Sequence, residues 1–349
     1  MLERTYLIGE IGQNHNGSAE IAKLIVDVAA RPVIDDSFGH VLKGMDAIKL
    51  TKRDLSCELT ASSYNKIYDS PHAFGKTYGE HRLALELTYE DHFEIYRYSK
   101  EKGLEVIETL CSPSCLQIIN YFTPDKLKIA SRDLTNLPLL EAMAETRIPI
   151  ILSTGMGGKT ELDKALEIIT RYHDNIAILH CVSEYPTNPA HANLNSILYL
   201  QENYPRFITG YSDHTIGIST PVAAVAMGAK ILEKHITIDR KMKGTDQAGS
   251  LGIDGIQRMI RDIRLLELSF GKKDLFIEPA VSNGKIKLER SIATKRVLKK
   301  GEIIEEKDLH LLSPGDGIQW SQKHIIIGKK LRKGISANEI IYPDFLQQN

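Results

Sequence analysis

The chain alternates short β-rich runs with amphipathic helical segments through most of its length, and this alternation restricts the possible folds more than any other feature. Eight runs rich in β-branched and aromatic residues are predicted to be strands. They cover residues 5–10, 46–50, 105–110, 126–131, 149–154, 176–181, 207–213 and 230–237. Because the strand–helix units succeed one another, the pattern favours a closed (β/α)8 barrel over an open doubly wound sheet.

The segments between the strands repeat apolar residues at i, i+3 and i+4, the pattern of a helix that packs one face against a core. The predicted helices cover residues 19–30, 89–102, 137–146, 159–172, 194–204 and 220–227. Thr88 precedes the second of them and is followed three residues later by Asp91, so this pair is predicted to cap the start of that helix.

Composition excludes several classes of function. Lys and Arg number 44 against 45 Asp and Glu, so the formal charge is −1 and nucleic acid is not an expected partner. No apolar run reaches the ~18–20 residues of a membrane span, and the start MLERTYLIG lacks the apolar core of a signal peptide. The cysteines form no CxxC pair, so we expect a reduced, cytoplasmic protein without a membrane partner. They are Cys57, Cys111, Cys115 and Cys181.

The alternating pattern is interrupted twice and then ends. Residues 31–44 lengthen the connection into the second strand, and residues 54–87 follow it as a long segment, either a lid or binding loop or an inert insertion. After an amphipathic helix over residues 259–268, a Gly- and Pro-containing stretch leads into short β-like pieces with Gly turns. We predict a barrel over residues 1–278, a linker over 279–286 and a small domain over 287–349.

Polar residues stand at or near the ends of the predicted strands, and in a barrel those ends meet at one mouth, where catalytic groups lie. They are Glu10, Lys49, Thr109, Ser131, Ser153, His180, Asp213 and His235. His214 and His235 end neighbouring strands, so both imidazoles could bind one ion of Mn, Fe, Co or Zn. The alternative is that the two histidines are unrelated polar residues.

Hydroxyl and ammonium groups share the same mouth, and together they favour an anion such as a phosphate or a carboxylate. These groups belong to Lys49, Thr109, Lys128, Ser131, Ser153, Thr154 and Ser212. Lys128 could instead act as a Schiff-base nucleophile, since a lysine in an apolar strand can be activated in that way. Glu10 could serve as a base toward water.

Motifs along the whole chain resemble those of the sialic acid synthase family. They are EIGQNHNGS (10–18), GKTYGEHR (75–82), LKIASRDLTNLPLL (127–140), PIILSTGM (149–156), LHCVSEYPT (179–187), GYSDHTIGI (210–218), LEKHITIDR (232–240) and KGTDQAGSL (243–251). The small domain resembles the C-terminal antifreeze-like (SAF) domain of that family. The resemblance implies condensation of phosphoenolpyruvate (PEP) with an N-acylated mannosamine-type sugar to give a nine-carbon 2-keto acid and phosphate.

The resemblance also implies roles for individual residues. His214 and His235 would hold a divalent metal, Mn²⁺ in the first place and Mg²⁺ or Co²⁺ otherwise, and Glu10 would orient or deprotonate the attacking water. Tyr185 and Asp246 would contact the sugar. The PEP pocket would comprise Lys49, Thr109, Lys128, Ser131, Ser153 and Ser212. Family members are typically domain-swapped homodimers, so a homodimer is expected.

Departures from the family pattern concern the sugar. Ser313 stands where bacterial neuraminate synthases carry an Arg before Pro-Gly, Thr51 replaces a Gln, and Ser183 replaces an Asn. The product could therefore be legionaminate or pseudaminate, or the acceptor could be a phosphorylated sugar. The TYGEHR stretch resembles the branch of the family that includes animal enzymes, which commonly use a 6-phosphorylated sugar.

Two alternative functions belong to other classes of protein. A Schiff-base aldolase using Lys128 would be inactivated by borohydride with substrate, whereas a metal-dependent synthase would be inactivated by a chelator. A non-catalytic carbohydrate-binding protein would release no phosphate from PEP with any sugar.

Overall fold

A computed structural model describes residues 4–347. Its twelve strands are β1 (Tyr6–Gly12), β2 (Val33–Asp35), β3 (His40–Leu42), β4 (Ala47–Lys52), β5 (Glu105–Leu110), β6 (Lys126–Ile129), β7 (Ile150–Ser153), β8 (Ile176–Cys181), β9 (Ile208–Asp213), β10 (Ile231–His235), β11 (Ser291–Thr294) and β12 (Leu309–Leu312). Eight of them close a parallel barrel in the order β1-β10-β9-β8-β7-β6-β5-β4. The predicted (β/α)8 barrel is thereby confirmed.

The helices lie between the strands as the apolar periodicity predicted. They are α1 (Ala19–Ala30), α2 (Leu55–Glu58), α3 (Ala61–Tyr64), α4 (Tyr78–Leu83), α5 (Tyr89–Glu101), α6 (Leu137–Glu145), α7 (Lys159–Ile169), α8 (Asn195–Asn203), α9 (Ser219–Ala226), α10 (Ile253–Ser269) and α11 (Ser282–Leu288). Thr88 caps α5 in a capping box with Asp91, as expected. Between β5 and β6 a 3₁₀ helix, Pro113–Asn120, replaces the α-helix.

Side-chain alternation along each strand decides what reaches the mouth of the barrel. Ile8, Ala47, Ile107, Ile151 and Ile231 belong to an apolar cluster that fills the barrel interior. Because successive side chains of a strand point to opposite faces, the residues two positions further along, such as Lys49 and Ser153, face inward above this layer. The larger apolar clusters lie where the helices cover the outer face of the sheet.

Both interruptions of the pattern carry structure. Residues 31–44 contain the antiparallel hairpin of β2 and β3, in which Ile34 pairs with Val41. Residues 54–87 contain the short helices α2, α3 and α4, and the last of these begins with a capping box formed by Thr77 and Glu80.

The chain divides into two compact units, Met1–Gly271 and Lys272–Asn349. The second unit contains β11 paired with β12 and a separate core that includes Ile292, Ile304 and Leu331. The stretch predicted as a linker, residues 279–286, overlaps α11. Ser313 Oγ and the Gly315 amide donate hydrogen bonds to the carbonyls of Leu288 and Ile286, and such distant contacts are invisible in the local sequence.

Across residues 4–347, none of the helices combines the length and the apolar character that crossing a membrane requires.

Candidate active site

One cavity of about 510 Å³ opens at the carboxyl ends of the barrel strands. Eleven of the residues predicted at the mouth line it, namely Glu10, Lys49, Thr109, Lys128, Ser131, Ser153, Tyr185, Ser212, His214, His235 and Asp246. Thr154, His180 and Asp213 do not, and Thr154 Oγ1 donates instead to the Leu179 carbonyl at 3.3 Å. His180 hydrogen-bonds to the Ala192 carbonyl at 2.8 Å, and Asp213 pairs with Lys234, because strand alternation turns these side chains to the outer face.

Two lysines and two carboxylates of opposite charge form the floor of the cavity. The Lys49 Nζ lies 2.7 Å from Glu10 Oε2 and 3.8 Å from Glu233 Oε1. The Lys128 Nζ lies 3.7 Å from Glu233 Oε2. All four residues are buried, so their charges interact through a poorly screening medium and depend on one another.

Hydroxyl groups add hydrogen bonds to this floor. Lys49 donates to Thr109 Oγ1 at 3.0 Å, and Lys128 donates to Ser153 Oγ at 2.6 Å. Ser212 Oγ donates to Glu233 Oε1 at 2.9 Å. The ammonium groups are thereby held at fixed positions beneath the open part of the cavity, which suits the binding of an anion.

Burial shifts the protonation equilibria of the floor in different directions. It raises the pKa of Glu10, and the attraction of Lys49 offsets only part of that effect. Burial also acts to raise the pKa of Glu233, but Lys128 and Lys49 outweigh it and the pKa is lowered. Burial lowers the pKa of Lys128 against the opposing attraction of Glu233. Glu10 is therefore the carboxylate more ready to accept a proton near neutral pH.

The two predicted metal-binding histidines lie side by side, with ring centroids 5.5 Å apart and an interplanar angle of 50°. His214 Nδ1 lies 2.9 Å from the Val182 carbonyl, which places the proton on Nδ1 and leaves the Nε2 lone pair free. His235 Nδ1 is buried without a hydrogen-bond partner. Tyr185 covers His214, with ring centroids 4.0 Å apart.

No group of three or more His, Cys, Asp or Glu side chains within the described residues is arranged to hold a metal ion. The donors that His214 and His235 offer are therefore two imidazoles with available nitrogens. Such a pair fits a divalent cation of the Mn²⁺ type, which accepts imidazole together with oxygen ligands from substrate and water.

Gly12 lets the Glu10 carboxylate occupy its place. The pairing of β1 with β4 shifts register between Glu10 and Gly12, and Gly12 has a φ of 54°. A Cβ atom on Gly12 would lie 2.9 Å from Glu10 Oε1 and 3.6 Å from His235 Cε1. A side chain at this bulge would therefore displace the carboxylate as well as strain the backbone.

Two arginines at the rim share one carboxylate. Glu58 Oε1 lies 2.8 Å from Arg53 Nη1 and 3.0 Å from Arg132 Nη1, and both arginines line the cavity. Glu58 ends α2, directly after Cys57, which is the exposed one of the four cysteines.

Glu233, Cys181 and Gln13 are among the cavity-lining residues that sequence reasoning did not assign to the site, whereas Arg82 belongs to the TYGEHR motif quoted above. Glu233 lies two positions before His235 on β10, and Cys181 ends β8, so strand alternation was a usable signal for both. Gln13 and Arg82 hydrogen-bond to each other across 69 residues of sequence at 2.9 Å, and no local pattern predicts such a contact.

Comparisons with known proteins agree with this architecture. The model of the NeuB family matches residues 40–274, and that of the SAF domain matches residues 289–347. The N-acetylneuraminate-9-phosphate synthase of Homo sapiens is 30% identical over 346 residues, which cover 99% of this chain and 93% of that protein. The N,N'-diacetyllegionaminic acid synthase of Legionella pneumophila is 32% identical over 343 residues, 95% of this chain and 92% of that protein.

A solved structure is also similar. The crystal structure of the N-acetylneuraminic acid (sialic acid) synthetase from Leptospira borgpetersenii is 29% identical, with a TM-score of 0.65, and the match covers 80% of this chain and 90% of that one. Since the family match spans more than half of the chain and the human relative aligns with nearly all of it, the chain belongs to the NeuB family and carries a C-terminal SAF domain, as its motifs indicated.

Proposed function

We propose that this protein is a nonulosonic acid synthase that condenses PEP with an N-acyl hexosamine and water. The observation that carries the proposal is the single cavity in which two lysines, a buried carboxylate and two adjacent imidazoles lie together. The relatives named as sialic, legionaminic and pseudaminic acid synthases support the same class of reaction.

In the proposed reaction, the cationic floor binds the anionic groups of PEP. Lys49 and Lys128 provide ammonium donors, and the hydroxyls of Ser131, Ser153 and Ser212 provide further hydrogen bonds along the same wall. Because the lysines are held by Thr109 and Ser153, binding would cost little reorganisation. Tyr185 and Asp246 line the cavity beside the two histidines, where the acceptor sugar would lie.

The bonds change as follows. The C2–C3 π electrons of PEP form a new bond from C3 to the aldehyde carbon of the open-chain sugar, and the aldehyde oxygen takes up a proton. Water adds to C2 and loses its proton to a base. The tetrahedral intermediate collapses to the 2-keto acid, the bond from C2 to the phosphate oxygen breaks, and phosphate leaves.

Glu10 is the proposed base toward water. Its carboxylate is buried beside Lys49, and its raised pKa favours proton uptake near neutral pH. A divalent metal ion, for which Mn²⁺ is the first candidate, would be held by His214 and His235 and would polarise the aldehyde oxygen of the acceptor.

The decisive experiment is incubation with PEP, Mn²⁺ and a panel of N-acyl hexosamines, with and without a 6-phosphate. Phosphate release and product masses are measured, and a product three carbons longer than its acceptor is expected. Absence of phosphate release with every acceptor would contradict the proposal and favour a carbohydrate-binding protein.

Replacing Glu10 by Gln tests the role of the carboxylate. Glu10→Gln keeps the size of the side chain and removes the base, so we expect PEP binding to persist while turnover falls by about 10²- to 10⁴-fold. Binding is measured by calorimetry and turnover by phosphate release. Unchanged turnover would exclude Glu10 from the reaction.

A Schiff-base aldolase is the second candidate function, and the lowered pKa of Lys128 is the observation that favours it. Borohydride reduction in the presence of the keto-acid product, followed by mass spectrometry, would detect a covalent adduct on Lys128. The synthase requires no such adduct.

The homodimer expected from the family resemblance remains a prediction, and light scattering would measure the oligomeric state.

A further inference from the structure

A buried ion pair joins the two strands that lead into the paired histidines. Lys234 and Asp213 lie opposite each other in the register of β10 and β9, and the Lys234 ammonium pairs with the Asp213 carboxylate. Each of the two residues is only 1% exposed. His235 directly follows Lys234 in the chain, and His214 directly follows Asp213. The ion pair therefore lies one residue behind each of the two histidines.

Lys234 contacts the residues on both sides of His214. Its Nζ atom donates to Asp213 Oδ2 and also to the Thr215 carbonyl. One ammonium group of β10 thus binds the residue before His214 and the residue after it. Because a shift of β10 along β9 would break both hydrogen bonds, the ammonium fixes the spacing between the backbones of His214 and His235.

The Asp213 carboxylate closes a tight turn around His214. Its Oδ1 atom accepts from the Thr215 amide at 3.0 Å and from the Tyr211 hydroxyl at 3.0 Å. Its Oδ2 atom accepts from Thr215 Oγ1 at 3.1 Å. A carboxylate that binds the amide two residues ahead fixes the turn between them. The residue between them is His214, so its backbone conformation is tied to the ion pair.

His235 depends on its backbone because its ring has less support of its own. His214 Nδ1 lies 2.9 Å from the Val182 carbonyl, whereas His235 Nδ1 is buried without a partner among residues 4–347. A hydrogen bond to the second ring nitrogen normally orients a metal-binding imidazole. The direction of the His235 ring is therefore set by the end of β10, where Lys234 lies and where the His235 carbonyl accepts from the Leu251 amide at 2.9 Å.

Stability alone does not explain two charges in this part of the fold. Leu232 and Tyr211 lie two positions before Lys234 and Asp213, so they share the outward face of β10 and β9, and both belong to an apolar cluster. A buried ion pair adds little net stability compared with an apolar pair of similar volume, since both charges must leave water. The fixed spacing of the two histidines supplies a reason for the charges.

We propose that Lys234 and Asp213 are positioning residues, which hold His214 and His235 at the separation needed to bind one divalent cation. The inference rests on the proposed function, in which the two imidazoles hold the metal ion. Neither Lys234 nor Asp213 lines the cavity of about 510 Å³. Their effect passes through the ends of β9 and β10, so their loss should weaken metal binding more than PEP binding.

The test measures the affinity of the full-length protein for Mn²⁺ by electron paramagnetic resonance, in which the signal of the free ion disappears on binding. Lys234→Met removes the ammonium but leaves the Asp213 carboxylate buried and unpaired, which opposes folding. The double variant Lys234→Met with Asp213→Asn removes both charges, and its new amide oxygen can still accept from Thr215 and Tyr211. We expect the Kd for Mn²⁺ to rise about ten- to hundredfold in the double variant. The KM for PEP should stay within about threefold, and turnover lost at low Mn²⁺ should return as Mn²⁺ is raised.

Arg264→Met is the matched control. Arg264 is also a buried cation, and its Nη2 atom lies 2.9 Å from Asp46 Oδ2. Asp46 directly precedes β4, so this pair lies at the amino ends of the strands, opposite the histidines. Urea unfolding of both variants separates a loss of stability from a loss of metal affinity.

Weaker Mn²⁺ binding by the double variant, with wild-type affinity in Arg264→Met, supports the inference. Wild-type affinity in the double variant, or an equal loss of affinity in Arg264→Met, would overturn it. If the wild-type protein binds no Mn²⁺, the inference fails, and phosphate release from PEP with the acceptor panel still decides separately whether the protein is a synthase.

Discussion

At the scale of single residues, the candidate site depends on a glycine, which has no side chain, as well as on its polar side chains. Gly12 follows Glu10 at the bulge of β1, and its missing Cβ leaves room for the carboxylate beside Lys49. Placement of the proposed base is therefore set by backbone geometry, and small displacements of reacting groups reduce rates strongly.

Replacing Gly12 by Ala should lower turnover strongly and lower the free energy of unfolding only slightly. Gly12→Ala adds a Cβ against Glu10 at a φ of 54°, so we expect phosphate release to fall at least ~10-fold, with about 1 kcal/mol lost in the free energy of unfolding. Gly39→Ala is the control, because Gly39 has a φ of 73° and nothing within 4 Å of its Cβ position. Equal turnover in the two variants would contradict the steric argument.

His15 should make stability depend on pH. Burial lowers the pKa of His15 to about 3, whereas an unfolded histidine titrates near ~6.5. Between those values only the unfolded chain binds the proton, so stability is complete above about pH 6.5 and falls by up to about 1.4 kcal/mol per pH unit as pH decreases toward 3. His15→Asn, which can still accept from the Gly17 amide, should show a smaller slope in urea unfolding. An unchanged slope would mean that His15 does not titrate in this window.

Strand geometry explains which residues of the candidate site could be predicted from the sequence. Of the residues that the sequence placed at the barrel mouth, eleven line one cavity, whereas Thr154, His180 and Asp213 do not, and the roles of all of them remain predictions. The prediction for β10 took the polar residue at the strand end, His235, and passed over Glu233, which stands two residues earlier on the same face. The pairing of Gln13 with Arg82 depends on how the inserted segment folds back, which strand and helix periods do not encode.

At the scale of elements, the periodic segments were predictable and the aperiodic ones were not. β5 and β8 have the predicted bounds, since each run contains β-branched residues, which favour strands. The 3₁₀ helix Pro113–Asn120 and α11 were missed, because each is short and begins near a proline.

Loss of the cap on α5 should cost stability. Thr88→Ala removes the side-chain acceptor for the Asp91 amide at the start of a thirteen-residue helix that packs on the barrel, so we expect a loss of about 1 kcal/mol in the free energy of unfolding. Thr60→Ala is the matched control, because Thr60 caps the four-residue α3, which buries none of its residues. Chemical denaturation measures both, and a larger effect at Thr60 would contradict this reasoning.

At the scale of the whole molecule, each unit has a core of its own. All buried residues of the clusters around and inside the barrel lie between Leu7 and Ile263, and those of the SAF core lie between Ile292 and Ile341. The sequence predicted a barrel over residues 1–278 and a small domain over 287–349, and these bounds stay a prediction, while the first compact unit ends at Gly271.

A chain that ends at Gly271 should therefore fold. We expect the far-ultraviolet circular dichroism of a (β/α)8 barrel and a cooperative thermal transition, because no core residue of the barrel is lost. A broad, non-cooperative transition would show that the division into units is incomplete.

The exposed thiol of Cys57 is a site at which the native chain can be labelled with a fluorescent dye. Since Cys111, Cys115 and Cys181 are buried, a maleimide dye would react fastest at Cys57, one position from the carboxylate that joins Arg53 to Arg132. Fluorescence from a dye at that position could follow ligand binding in the cavity over time, and no substitution in the chain would be needed.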